Sequence, residues 1–277
     1  FGSALTNFGV EPFLEAFANM CPAPGPHESS AGVIGPEDER FTGFVFKVQA
    51  NMDPSHRDRI AFLRVCSGKF TGGMRVHHHR LDKEIRLARA EQMMAQERQA
   101  VDEAWAGDII GLFDPGIFRI GDTLSTGGAL AFETVPRFSP EFFARVVLLD
   151  PMKRKQMQKG VEELAEEGTL QLFLEPGREK DPILGVVGEL QFEVLKYRLE
   201  HEYGAKVEME RMPYEHARWV DGVSTPEELR KGRISLAVWD VDKRPVALLR
   251  DDWELRRAQQ DNPSWVFNTT APIRAGG

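Results

Sequence analysis

FTGFVFKVQANMDPSHRDRIAFLRVCSGKFTGGM, residues 41–74, contains two predicted strands joined by a charged turn. Between Phe44 and Ala50, apolar residues alternate with other residues, which is the pattern of a strand with one buried face. Pro54 ends this strand because proline has no N–H to donate to a sheet, and the neighbouring Asn and Asp favour a turn. A second apolar run follows at 60–66. The pattern predicts a hairpin that presents arginines at its turn, an arrangement suited to a polyanion.

The string QANMDPSHRDR, from Gln49 to Arg59, also carries a family resemblance. It resembles the start of the second, β-barrel domain of bacterial translational GTPases of the release-factor-3 type. Elongation factors share the strand but not this turn. The resemblance extends over nearly the whole chain and is sharpest at 41–74, 107–127 and 145–220. It implies the C-terminal part of such a protein, without most of its GTP-binding domain.

Composition predicts a cytoplasmic protein with no membrane partner. The chain has 277 residues, of which 42% are hydrophobic and 28% charged, enough for two domains with cores of their own. No apolar run approaches the roughly 18 residues of a membrane span, and no signal peptide opens the chain. Cys21 and Cys66 form no spacing motif and are predicted to be reduced thiols. The absence of an initial methionine indicates a fragment.

Charge is unevenly distributed along the chain. The formal net charge is −8, yet residues 54–90 hold nine Lys/Arg and three Asp/Glu, together with four histidines. That segment is therefore +6 and leaves −14 for the remainder. A basic patch on an acidic body can bind a phosphate backbone, and the alternative is a solvated barrel face with surplus cations.

The order of predicted elements indicates a mixed β and α+β fold. Short strands with Gly and Asp turns predict an antiparallel β-barrel over 41–135. Beyond it, the order β-α-β-β-α-β predicts a ferredoxin-like α+β domain with a C-terminal extension over 136–277. The Pro-, Gly- and Ser-rich stretch 27–40 is predicted to be a linker. By resemblance, 1–26 is the end of a GTP-binding domain, and the barrel is of the translational-GTPase second-domain type.

Several helices of the second half have clear start signals. Asp150 followed by proline predicts a capped helix start, and the TPEE string from Thr225 to Glu228 predicts a capping box. The first of these helices ends in an acidic cluster of four glutamates at positions 162, 163, 166 and 167. We interpret that cluster as a solvated face, and the alternative is a set of paired acids.

A complete nucleotide site is missing from the sequence. Gly68-Lys69 is followed by Phe70 rather than Ser or Thr, so it is no phosphate-binding loop, and the Asn-Lys-x-Asp guanine motif is absent. The chain alone is therefore expected to be inactive as a GTPase and to hold no cofactor. Residues 2–10 resemble the last guanine motif of translational GTPases, which implies that Ser3, Ala4 and Leu5 faced guanine in a full-length parent that binds GTP or GDP. The alternative is a strand end before a helix.

One hypothesis for the run His77, His78 and His79 is a metal-binding site, which we reject. In a strand only His77 and His79 share a face, and two imidazoles with no nearby cysteine and no placed carboxylate make a poor site. We predict no metal.

The resemblance implies that the parent acts on the terminating ribosome and promotes release and recycling of the stop-codon-reading release factors. This chain would then be a monomer that contacts the ribosome and those factors. Arg57 and Arg59 are the predicted contacts to ribosomal RNA, with His56, Lys69 and Arg75 as weaker candidates. Alternatively, these arginines pair with acids such as Asp53 and Asp58 or form a solvated face. Two other functions remain open: a stand-alone RNA-binding β-barrel with an accessory α/β domain, and an enzyme with its site between the domains.

Overall fold

The computed structural model describes residues 1–50, 59–87, 90–94, 97–132 and 139–270, with the backbone alone for residues 50, 91–94 and 97–99. The chain divides into two compact units. Unit 1 comprises Phe1–Phe44, Leu63–Gly111 and Thr123–Glu133, and unit 2 comprises Val45–Phe62, Leu112–Asp122 and Thr134–Gly277.

The first half of the chain consists of one helix and a series of short strands. The helix is α1, Val10–Met20. The strands are β1 His27–Ser29, β2 Gly32–Ile34, β3 Thr42–Ala50, β4 Arg59–Ser67, β5 Lys69–Thr71, β6 Arg75–His78, β7 Lys83–Arg86, β8 Ala90–Met94, β9 Glu97–Val101, β10 Glu103–Trp105, β11 Ile109–Phe113 and β12 Thr123–Ser125.

Eight of these strands form one sheet in the order β7-β6-β12-β3-β4-β11-β8-β9. β12 pairs antiparallel with β3, so that Thr123 lies opposite Phe44. The turn from β4 to β5 needs glycine, because Gly68 has a φ of +64° and a Cβ there would lie 2.5 Å from the carbonyl carbon of Arg40. The two strands predicted on either side of the charged turn are confirmed as β3 and β4.

Unit 1 has its own apolar cluster, which surrounds one of the two thiols. Cys66 is buried together with Ile34, Leu130 and Phe132, and Phe44 packs against them. Burial raises the pKa of the Cys66 thiol to about 12, whereas Cys21 is exposed. Only the thiolate reacts as a nucleophile, so the two cysteines should differ sharply in reactivity.

We therefore expect a maleimide reagent at pH 8 to label the folded protein once, at Cys21, and the denatured protein twice. Mass spectrometry after a short reaction gives the two stoichiometries, and the variant Cys21→Ser should remain unlabelled when folded. Rapid double labelling of the native chain would show that the cluster around Cys66 is not closed.

The second half begins with a ferredoxin-like arrangement. Its elements are β13 Phe142–Leu148, a 3₁₀ helix Pro151–Lys153, α2 Arg154–Glu166, β14 Gln171–Leu174, β15 Ile183–Val186, α3 Gln191–His201 and β16 Val207–Met212. The strands lie in the order β16-β13-β15-β14. Met157, Val161 and Leu164 of α2 and Leu195 of α3 join the strand residues in one buried core. The predicted β-α-β-β-α-β order is confirmed.

The C-terminal extension continues the same sheet. Its elements are β17 His216–Asp221, α4 Pro226–Lys231, β18 Leu236–Asp240, β19 Pro245–Leu249, α5 Asp252–Asp261 and β20 Val266–Asn268. β18 pairs with β14, and the order runs on as β18-β19-β17-β20. At this junction Phe173 is fully buried between Phe143 and Trp219, with ring centroids 6.1 and 6.4 Å away.

The two predicted helix caps form the expected hydrogen bonds. A side-chain oxygen of Asp150 accepts a 3.0 Å hydrogen bond from the backbone N–H of Met152. The Thr225 hydroxyl accepts one of 3.3 Å from the N–H of Glu228. Both predicted caps are confirmed, and so is the mixed β and α+β fold. None of the helices in the described residues combines the length and apolar character that crossing a bilayer requires.

One segment is more ordered than its composition indicated. Within the predicted linker 27–40, β1 and β2 form an antiparallel hairpin. The backbone N–H of Ser30 donates to the carbonyl of Ala131 at 2.8 Å, which ties the hairpin to a distant part of unit 1. Composition cannot reveal such a long-range backbone contact. The bounds of the four predicted segments themselves stay predictions.

Candidate functional site

Arg59, the first residue of β4, lies at the centre of a charged cluster in unit 2. Its Nε donates to Oδ2 of Asp114 at 2.6 Å, one terminal nitrogen pairs with Glu166, and the other donates to the carbonyl of Phe118 at 2.9 Å. Only 13% of its side chain is exposed. Burial alone would lower the pKa of Arg59, but Glu166 and Asp114 raise it above its ordinary value. We call Arg59, Asp114 and Glu166 the Arg59 cluster.

Asp114 organises the loop that carries it. Its side chain is fully buried, and Oδ1 accepts hydrogen bonds of 2.8, 2.8 and 3.1 Å from the N–H groups of Gly116, Ile117 and Phe118. The sequence Asp-Pro-Gly at 114–116 is a turn signal, but nothing local links it to Arg59. Sequence reasoning therefore missed both acidic partners of this arginine.

This geometry bears on the predicted RNA contact at Arg59. The guanidinium already faces two carboxylates and a carbonyl, so little of its charge is directed at solvent. The arrangement favours the ion-pair alternative, with Asp114 and Glu166 as partners, whereas Asp53 and Asp58 lie outside the described residues. RNA contact by Arg59 stays a prediction, and its geometry disfavours it.

The remaining predicted contacts differ in how much charge they present. Lys69 pairs with Glu103 at 2.6 Å and lies 5.2 Å from the centroid of the Trp105 ring. Arg75 is 78% exposed, and its nearest described carboxylate, on Glu84, is 4.0 Å away. His56 and Arg57 lie outside the described residues. Arg75 is thus the described candidate with the most available charge.

The predicted guanine remnant forms a small exposed turn. The N–H of Ser3 donates to the carbonyl of Phe8 at 2.9 Å, which closes the turn. No acceptor within the described part of the chain is recorded for the N–H groups of Ala4 and Leu5. If this turn meets guanine, those two groups are the available donors. The assignment of Ser3, Ala4 and Leu5 stays a prediction.

The histidine run extends past the end of β6, which includes His77 and His78 but not His79. His78 is buried, whereas Nε2 of His77 lies 3.4 Å from an oxygen of Asp82. Across the described residues, no group of three or more His, Cys, Asp or Glu side chains could hold a metal ion.

A cleft of about 340 Å³ lies beside the Arg59 cluster, within unit 2. Its acidic lining residues include Glu162, Glu166, Asp240 and Asp242. Each of these carboxylates is held by a neighbouring group. Glu162 accepts from Gln158, Asp240 accepts from the Trp219 indole at 2.9 Å, and Asp242 lies 3.8 Å from Arg244. The carboxylates of the cleft are therefore hydrogen-bonded or ion-paired within the protein rather than free acids and bases.

The acidic end of α2 is not the solvated face that the sequence indicated. Glu167 pairs with Arg198 at 2.6 Å and has a side chain only 5% exposed. Glu163 accepts a 2.8 Å hydrogen bond from the Tyr203 hydroxyl. The pKa of Tyr203 is raised mainly by burial and further by this hydrogen bond. With Glu166 in the Arg59 cluster, three of the four glutamates have partners outside α2, whereas Glu162 accepts from Gln158 on the same helix. The interpretation was wrong for these three because their partners come from elsewhere in the sequence.

Comparisons with known proteins match both halves of the chain. The family model "Class II release factor RF3, C-terminal domain" matches residues 132–259, and "Elongation factor G domain 2" matches residues 40–127. A peptide chain release factor 3 from Symbiobacterium thermophilum is 55% identical over 275 residues, 99% of this chain and 52% of the relative. Another, from Acaryochloris marina, is 51% identical over 276 residues, 99% of this chain and 51% of the relative.

Over its whole length, the chain is homologous to peptide chain release factor 3. It spans about half the length of the relatives it matches. A solved structure from Thermus thermophilus covers 81% of this chain, and 38% of that structure is matched, with a TM-score of 0.58 and 20% identity. That likeness supports the fold alone. The predicted barrel of the translational-GTPase second-domain type is confirmed by the match to domain 2 of elongation factor G.

Proposed function

We propose that this chain is the ribosome- and factor-contacting portion of a translation-termination GTPase. In the proposal, the full-length protein binds GTP or GDP, acts in the cytoplasm on the terminating ribosome, and promotes release and recycling of the stop-codon-reading release factors. The observation that carries it is the homology to release factor 3 at 55 and 51% identity across both halves of the chain. A stand-alone RNA-binding barrel would not account for the match of both halves to the same relatives.

The N-terminal segment supports a nucleotide-binding domain in the longer protein. The apolar residues Phe13, Leu14 and Phe17 of α1 are 63, 56 and 53% exposed, and none of the helix is buried. An exposed apolar stripe of this size usually packs against another surface. We propose that it packs on the GTP-binding domain and that the Ala4 and Leu5 N–H groups meet guanine there.

The barrel would supply contacts to ribosomal RNA through charge neutralisation. Arg75, with its 78% exposed side chain, and Arg57 are the proposed contacts, followed by His56 and Lys69. Each phosphate contact adds roughly 0.7–0.9 to the slope of log affinity against log salt concentration. Arg59 is a poor probe of this contact, because removing it would disturb the Arg59 cluster and the fold.

Sedimentation with purified 70S ribosomes over a salt series tests the proposal. We expect saturable binding of this chain, weakened in the variant Arg57→Ala/Arg75→Ala with a slope shallower by about one to two. Lys231→Ala, a change of an exposed cation on α4, serves as the matched control and should leave the slope unchanged. A chain that never sediments with ribosomes at low salt would refute the proposed function.

A further inference from the structure

Helix α2 has a charge pattern opposite to the one that a helix favours. Lys153 precedes it and Arg154 and Lys155 open it, whereas its last turns carry glutamates. The helix dipole makes cations unfavourable at the N-terminus and anions unfavourable at the C-terminus. Neither end is therefore explained by the stability of the helix itself.

The two ends differ in what they contact. At the acidic end, Glu166 and Glu167 form ion pairs with Arg59 and Arg198, and Glu163 accepts from the Tyr203 hydroxyl. The N-terminal end of α2 has no such partners. Within the described residues, no carboxylate is recorded within 4.0 Å of the side-chain nitrogens of Lys153, Arg154 or Lys155.

Tertiary contact adds a fourth cation to this end. A terminal nitrogen of Arg154 donates to the backbone carbonyl of Lys180 at 3.0 Å, which brings the loop 175–182 beside the start of α2. Lys180 is exposed, and it too has no recorded carboxylate partner among the described residues. We call Lys153, Arg154, Lys155 and Lys180 the basic end.

The acidic residues interspersed with these cations are directed elsewhere. Asp150 accepts from the N–H of Met152, and Glu179 accepts from the N–H of Gly177 at 2.8 Å. Asp181 lies 3.8 Å from Arg178. The basic end therefore presents four cations whose charge is not matched by a described ion pair.

We propose that the basic end is a second RNA-docking surface, which neutralises consecutive phosphates of a ribosomal RNA strand. The complementary partner of several closely spaced unmatched cations is a polyanion, and lysine and arginine are the side chains that contact phosphates. The choice of RNA over an acidic protein rests on the proposed function, because ribosome binding would bring this chain to RNA. This surface is assembled from two segments that are separated in sequence.

The test uses the variant Lys153→Glu/Lys155→Glu/Lys180→Glu of the full chain. Binding is measured over a salt series to two probes, purified 70S ribosomes and protein-free RNA extracted from them. We expect weaker binding to both probes, with a slope shallower by about two to three. The matched control Lys196→Glu/Arg230→Glu/Lys231→Glu also reverses three exposed cations, on α3 and α4, and should retain the wild-type slope.

Stability provides an independent readout. Glutamate is favourable at a helix start, so the melting temperature of the triple variant should equal or exceed that of the wild type. If the variant fails to fold, the corresponding Lys→Gln triple variant replaces it and should lose the same binding without adding negative charge.

The outcomes separate this inference from the proposed function. Wild-type affinity and slope in the folded triple variant would overturn the inference and leave ribosome binding intact. Loss of binding to ribosomes but not to protein-free RNA would assign the basic end to an acidic protein and also overturn it. If the wild-type chain fails to bind ribosomes, the proposed function fails, and the RNA probe still decides the inference.

Discussion

Replacement of Asp114 with alanine should lower the free energy of unfolding by about 3–5 kcal/mol, the usual cost of removing one partner of a buried ion pair. The carboxylate is fully buried and bonds Arg59 at 2.6 Å. Its loss leaves a guanidinium that is 87% buried facing Glu166 alone, and it removes the acceptor of three backbone N–H groups. Denaturant unfolding followed by tryptophan fluorescence measures the effect, because four of the five tryptophans lie in unit 2.

Asp38→Ala is the matched control for this prediction. Asp38 and Arg40 are also joined at 2.6 Å, but their side chains are 26 and 45% exposed. Water solvates both charges in either state, so the change should be close to the error of measurement. Similar losses in the two variants would mean that burial does not determine the strength of the Arg59 cluster.

Phe173→Ala should destabilise the protein by about 3–5 kcal/mol, the range for removal of a large buried aromatic side chain. The ring has no exposed surface and packs against Phe143 and Trp219 where β14 meets the extension strand β18. The cavity would lie at the junction of the ferredoxin-like strands with the extension. The same denaturant assay applies, and Trp219 fluorescence should change in the native baseline.

Phe173→Leu provides the conservative comparison, because leucine refills part of the cavity and should recover most of the loss. A loss below about 1 kcal/mol in Phe173→Ala would indicate that the strands around the ring can close the gap. It would also show that the extension does not depend on this contact for its place in the sheet.

Short-range chemistry explains which features the sequence could predict. The cap at Asp150 and the cap at Thr225 involve groups two and three residues apart, and the residues from Ala61 to Val65 of β4 alternate between buried and half-buried. Such interactions depend on little besides adjacent backbone geometry. The element order, and through it the ferredoxin-like arrangement, followed from signals of this kind.

The ion pairs were harder to predict, because the role of a charged residue depends on a partner that is distant in the sequence. Arg59 and Glu166 are 107 residues apart, and Arg198 and Glu167 are 31 apart. Composition showed a basic segment and an acidic helix end, and it could not show that members of the two neutralise each other. The RNA contact predicted at Arg59 was weakened for this reason, whereas Arg75 retained its exposed charge.

By itself, then, the sequence determined the two fold types, the helix starts and the absence of a phosphate-binding loop from this chain. Tertiary structure decided which charges are paired. It buried Asp114 against Arg59, paired Glu167 at the acidic end of α2 with Arg198, and left the basic end without a carboxylate partner among the described residues. The physical reason is the sequence separation between the groups that interact. Strand alternation and caps arise from neighbours along the chain, whereas the pairing of charges requires the folding together of segments that are remote in sequence.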